Sequence, residues 1–209
     1  MADFHQNGNI TTLHNLTHRS VGEMESELQR FSRQRPLALI LPSLFSELET
    51  DALPHIIDEL TRVPYLSQII IGLDRADEAQ YRHAVEFFSR LPQEHRVLWN
   101  DGPRLRALDA ELQELGLAPQ QPGKGRNVWY CMGYTLASGR AESIALHDCD
   151  ILTYSREMLA RLIYPVANPQ FNYEFCKGFY TRIADNRIKG RVCRLLVTPL
   201  IRALKQVFG

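Results

Sequence analysis

The sequence predicts an open, mostly parallel α/β sheet with helices on both faces, and three observations lead there. Short apolar or β-branched runs, "LALILP", "SQIIIGLD", "HRVLWN" and "SIALHD", recur along the chain. They have strand length, and the most continuous of them suit strands buried on both sides. A stretch with helical apolar spacing separates each run from the next. The chain has 209 residues, about one domain's worth, enough to cover both faces of such a sheet.

Residues 1–20, "MADFHQNGNITTLHNLTHRS", are rich in His, Asn and Thr and predict an irregular arm. In "SVGEMESELQRFSRQ", Val21, Met24, Leu28 and Phe31 fall near helical spacing, with Ser20 and Glu23 placed as a capping box. That helix should end before Pro36, which pushes the preceding residue toward extended backbone. Residues 1–35 are thus an arm and a helix, and 36–209 the main domain. "LALILP" is a buried strand stopped by Pro42, and "DALPHIIDELTRV" a helix. "SQIIIGLD" is the second strand, followed by the helix "ADEAQYRHAVEFFSRL" with Ala84, Val85, Phe88 and Leu91 on one face. "HRVLWN" is the third strand. "PRLRALDAELQELG" is a helix opened by Pro103 and closed by Gly116. After the linker "LAPQQPGKGR", the helix "NVWYCMGYTLAS" leads to the fourth strand, "SIALHD". Beyond Ile151 the pattern changes to a short helix, "SREMLARLIY", an alternating stretch, "FNYEFCKGFYTRIA", with antiparallel character, and a final helix, "RVCRLLVTPLIRALKQVF". The sheet is therefore expected to be mixed.

Charge and hydropathy exclude several roles. With 24 basic and 24 acidic residues, no overall field draws the chain to nucleic acid or to anionic membrane. No apolar run approaches the roughly 20 residues that span a bilayer. The N-terminus lacks the apolar centre of a signal peptide, so a cytoplasmic protein is expected. Cys131, Cys149, Cys176 and Cys193 are widely spaced without a C-x-x-C pair, the pattern of reduced, buried thiols.

In sheets of this kind ligands bind beyond the carboxyl ends of the strands. Those ends are Pro42–Glu47, Asp74–Asp77, Asn100–Gly102 and Asp148–Asp150, and nearly all the polar punctuation falls there. In "ALHDCDIL", extended backbone would turn Asp148 and Asp150 to one side and His147 and Cys149 to the other. Hard cations such as Mg²⁺ or Mn²⁺ accept one or two carboxylates plus substrate phosphate oxygens. An isolated D-x-D is equally a common turn. One helix upstream, "PGKGRN" sets Lys124 between two glycines before a helix start, where backbone N–H groups and the ammonium suit a phosphate. It lacks Walker spacing, and a flexible capping loop reads as well.

"LPSLFSELE", "GLDRAD", "PGKGRN", "LHDCDIL" and "FYTRIADNRIKGRVCRLLVTPLI" occur in the order and approximate spacing of retaining glycosyltransferases of the glucosyl-3-phosphoglycerate synthase group. The resemblance covers residues 36–209 and implies a GT-A, Rossmann-like fold. It implies transfer of a hexose, glucose in that group, from a nucleoside-diphosphate sugar to a glycerate-type or phosphorylated small acceptor. By that resemblance Pro42, Leu44, Glu47, Asp74, Lys124 and Asp148 border the nucleotide sugar. Asp150 and Asp148 take a divalent metal, Mg²⁺ or Mn²⁺, with Asp150 the more direct ligand, and Asp150 and Lys124 carry the catalysis. Gly190, Arg191 and Cys193 hold the acceptor. A homodimer is expected, with no nucleic acid partner. The family's acidic residue after the first strand aligns with either Ser46 or Glu47. Arg75 stands where the family has a small residue, and Cys193 where it has threonine. The family's third metal ligand is a histidine beyond the acceptor segment, a position past Gly209, so the resemblance implies a domain lacking a C-terminal region.

Two rivals follow from the same residues. One is a non-catalytic nucleotide-sugar-binding module, or a truncated fragment of the enzyme. The other is a nucleotidyltransferase, which would carry a glycine-rich basic loop after its first strand, whereas "LPSLFSELE" has no glycine and no base. Two carboxylates one residue apart cannot straddle a sugar ring as a glycoside hydrolase requires, since its pair stands roughly 5 to 9 Å apart across the bond.

Overall fold

The structure, a computed structural model, describes residues 13, 19–178, 183–184, 187–188, 196 and 198–208. Two compact units are present, Met1–Cys176 and Lys177–Gly209.

In the first unit, four parallel strands form one sheet: β1 (Leu37–Leu44), β2 (Leu66–Asp74), β3 (His95–Trp99) and β4 (Ser143–Leu146), in the order β3-β2-β1-β4. Strand order reverses between β1 and β4, so a crevice opens at their carboxyl ends. The helices are α1 (Val21–Phe31), α2 (Ala52–Leu60), α3 (Glu78–Phe88), α4 (Pro103–Glu114), α5 (Lys124–Ser138) and α6 (Arg156–Ala167). The expected capping box of α1 is formed, with Ser20 and Glu23 each satisfying the other's backbone N–H. α6 has no cap of its own: Glu59 of α2 accepts from the Arg156 N–H at 2.9 Å.

Strand periodicity divides the interior. Leu37, Leu39, Leu41, Ile69, Ile71, Leu73, Val97 and Ala145 point into one large core, which includes Leu53, Ile56 and Ile57 of α2 and Met24 and Leu28 of α1. Ile40 and Ile70 point the other way, where with Cys131 of α5 they form a small second cluster. Alternation of this kind is what a pleated strand dictates. Each fully buried Leu or Ile stabilises the fold by roughly 1.5–3 kcal/mol.

Four expectations are corrected. β1 runs two residues past Pro42 instead of stopping there. The Ile40 carbonyl accepts from His147 N–H, and pairing with β4 ends at Ile40. The backbone N–H and C=O groups of even-numbered β1 residues therefore point toward β4, and the N–H that Pro42 lacks would point to a side unpaired among the described residues. Val85 lies at the margin of the α3 stripe and is 42% exposed, while Ala84, Phe88 and Leu91 are buried. Trp129, a large aromatic that its size alone would assign to packing, is 41% exposed. Residues 171–178 form no strand.

In the second unit, β5 (Ile183–Ala184) and β6 (Arg187–Ile188) pair antiparallel, and α7 spans Thr198–Phe208.

Candidate nucleotide-sugar site

α5 begins at Lys124, so this lysine is the first helical residue, not a member of the preceding loop. Its cap, Gly123, has φ 125°, a conformation that excludes most side chains. The ammonium of Lys124 forms an ion pair with Asp148 Oδ1, joining the α5 N-terminus to the turn after β4. Unpaired amides and a positive dipole end already favour anions here. Lys124 adds a full charge.

β4 ends at Leu146, and Cys149 and Asp150 lie in a turn, so the D-x-D is not extended as expected. The alternation nevertheless persists: His147 and Cys149 are buried, Asp148 and Asp150 exposed. Burial pulls His147 down to about 4, against the opposing pull of Asp148. Its ring stacks edge-on against Tyr154, centroids 5.3 Å apart, and neither ring nitrogen has a hydrogen-bond partner among the described residues. Burial also raises the Cys149 thiol, with Glu47, Asp148 and Asp150 adding to the shift and Ser43 opposing it. Glu47 of the loop after β1 thus lies near the D-x-D turn. Its carboxylate accepts from the Leu44 N–H at 2.9 Å, which fixes the 3₁₀ turn Phe45–Glu49.

Pro42 and Leu44 stand at the carboxyl end of β1, facing the crevice toward β4. Asp74 ends β2, one strand further off, and accepts from the Arg75 N–H at 3.2 Å. Lys124 and Asp148 meet directly, and Glu47, Asp148 and Asp150 all act on the Cys149 thiol, whereas among the described residues Asp74 bonds only its neighbour's N–H. Arg75 has φ 57°, an uncommon conformation for a non-glycine residue and one that clusters at functional loops. Asp101 Oδ2 accepts from Ala76 N–H at 3.1 Å and the Trp99 indole donates to Ala76 O at 2.7 Å, so the end of β3 holds this loop. Gly190, Arg191 and Cys193 lie outside the described residues.

Sequence reasoning missed Asn127, whose Nδ2 donates to Gly72 O at 2.8 Å, and Asp109, which bonds Tyr130 and Arg126 across α4 and α5. The glycine inside "IIIGL" was the available signal, since glycine within a strand marks a close approach.

Among the described residues no three His, Cys, Asp or Glu side chains converge on a metal position. Two exposed carboxylates with a cation already against one of them fit a hard divalent ion that relies on a ligand's oxygens to complete its shell.

The architecture is an α/β fold of the GT-A type, with a basic helix N-terminus and an acidic turn at the topological switch. The solved structures that share it include glucosyl-3-phosphoglycerate synthase from Mycobacterium tuberculosis. In complex with Mn²⁺, UDP-glucose and glycerol 3-phosphate that enzyme matches at TM-score 0.57 and 20% identity, over 91% of this chain and 57% of that one. In complex with Mn²⁺, UDP and glucosyl-3-phosphoglycerate the TM-score is 0.54 at 19% identity, again over 91% and 57%. In sequence, the chain is similar to the curated glucosyl-3-phosphoglycerate synthase of Persephonella marina, 49% identical over 209 residues. That of Methanococcoides burtonii is 37% identical over 206 residues. This chain spans about half the length of these relatives, 52% and 50%. No protein-family model matches it.

Proposed function

We propose that the chain binds a nucleoside-diphosphate sugar and belongs to a retaining glycosyltransferase that moves glucose to 3-phosphoglycerate or a similar small anionic acceptor. The observation that carries this reading is the Lys124–Asp148 ion pair, set at a helix N-terminus beside the exposed Asp150. The names of the curated relatives support the acceptor and the sugar. A cytoplasmic setting suits the free thiols of Cys131, Cys149 and Cys176.

The demanding step is departure of the nucleoside diphosphate while positive charge grows on the sugar. Asp148 and Asp150 would hold Mg²⁺ or Mn²⁺, which when bound supplies Lewis-acid stabilisation to the diphosphate. Lys124 leaves Asp148 for a phosphate oxygen, aided by the first-turn amides of α5, and so offsets negative charge where it develops. The Asp148 oxygen that Lys124 held is thereby freed. His147, buried and neutral at physiological pH, adds no charge beneath the turn. Pro42, Leu44 and Glu47 wall the β1 side of the crevice, and Asp74 the nucleoside side. Gly190, Arg191 and Cys193 receive the acceptor, with the planar fork of Arg191 suited to its carboxylate or phosphate.

Calorimetry with UDP tests the reading. Binding should require Mn²⁺ or Mg²⁺ and weaken by tenfold or more, about 1.4 kcal/mol or greater, in Asp150→Ala. Metal-independent binding that Asp150→Ala leaves unchanged would overturn it.

A further inference from the structure

The residues of β2 that face α5 are Gln68, Ile70 and Gly72, which reach less far from the backbone toward the carboxyl end of the strand. Each meets a different turn of the helix. Gln68 Nε2 donates to Ser138 Oγ at 3.1 Å, Ile70 packs against Cys131, and Gly72 lies under Asn127. The space between helix and strand therefore narrows toward the ligand end. At Gly72 it closes: a Cβ there would overlap Asn127 Oδ1 and come 2.6 Å from Cys131 Sγ. Asn127 is 3% exposed and polar at both ends of its amide. Its Nδ2 donates to Gly72 O at 2.8 Å, and Cys131 Sγ donates to its Oδ1 at 3.5 Å. A buried amide satisfied in this way has one orientation, because any other leaves a polar group unpaired away from water. Apolar packing alone would let the helix slide along the strand. A directional bond to a strand carbonyl does not.

Lys124 lies three residues before Asn127, on the same side of the helix by its spacing, and Asn127 N–H bonds back to Gly123 O at 3.1 Å. Fixing Asn127 on Gly72 thus fixes the first turn of α5 in height and rotation above the carboxyl ends of β1 and β2. The structure assigns Asn127 as a positioning residue that acts through Lys124: its bond to the β2 backbone sets where the ammonium meets the diphosphate. This rests on the reading of Lys124 as the diphosphate contact.

A double-mutant cycle on UDP affinity in the presence of Mn²⁺, with the 209-residue chain, separates the two. Lys124→Met alone should weaken UDP binding about tenfold or more. Asn127→Ala alone should weaken it about threefold to tenfold, and by less than twofold once Lys124 is already Met. Thermal melting run alongside should show Asn127→Ala lowering stability to the same degree in both backgrounds. A merely structural role would reduce affinity equally with and without Lys124. Additive losses, or wild-type affinity in Asn127→Ala, would overturn the assignment while leaving the nucleotide reading standing. Unchanged affinity in Lys124→Met would overturn the nucleotide reading, and this assignment with it. If Asn127→Ala does not fold, Asn127→Leu, which keeps the volume of the side chain but removes its donor to Gly72 O, enters the same cycle with the same criterion.

Discussion

The two faces of the sheet are built on different principles. One is thick and mainly apolar: Leu39, Leu41, Ile69 and Ile71 meet α2, α6 and the inner side of α1 in one large hydrophobic cluster. The other is thin. α5 rests there on Ile40 and Ile70 through its own Cys131, and its ends are fastened by hydrogen bonds from Gln68 to Ser138 and from Asn127 to Gly72. Hydrophobic contact is non-directional and roughly proportional to area, so it stores stability without setting register. A buried hydrogen bond contributes less net free energy but fixes an orientation. The candidate site depends on the second face for alignment and on the first for the rigidity of the platform.

The largest expected effect breaks the thick face. Leu39→Ala should cost about 2–5 kcal/mol in urea unfolding, while UDP affinity of the folded protein stays within twofold. A comparable loss of affinity would show that the two faces are not separate in function. Next in size is the acid response of the same face. His147 titrates near 4 in the fold, below the 6.5 of an unperturbed histidine, because burial disfavours its charge. The unfolded chain takes up the extra proton first, so the stability is complete above about 6.5 and is lost as pH falls toward about 4, by at most about 3 kcal/mol. Urea midpoints of metal-free protein across that window check it, and His147→Phe should flatten the profile. The smallest effect sharpens the description of the thin face. Gln68→Ala removes the fastening at the far end of α5 and should cost about 1 kcal/mol, with UDP affinity unchanged. A drop in affinity would mean that alignment is spread along the whole helix rather than held at Gly72.

Much of the platform was legible before the structure. Continuous β-branched runs separated by amphipathic stretches predicted the four parallel strands, because strands buried on both faces cannot alternate polar and apolar residues. The D-x-D was legible as a strand-end pair, and the lysine as a residue close to a helix start. Three things were not. "PGKGRN" does not show whether Lys124 belongs to the loop or the helix, since its glycines permit either, and the cap conformation of Gly123 decides it. Pro42 reads as a stop only if its missing N–H matters, and that depends on how far β4 extends alongside. Asn127 is unremarkable in sequence because its role is a contact across 55 positions, visible only once α5 lies over β2. Local pattern reports elements well and seams between them poorly.

The proline in β1 has one more consequence. Beyond Ile40 the side of β1 facing β4 has no neighbouring strand among the described residues. Bare backbone of that kind invites any extended segment to add itself as a further strand. Here both donors that such a guest would need are missing: Pro42 has no N–H, and the Leu44 N–H is already taken by Glu47. The groove is therefore inhospitable to peptide while staying open to a small molecule, which needs no ladder of amides to lie in it.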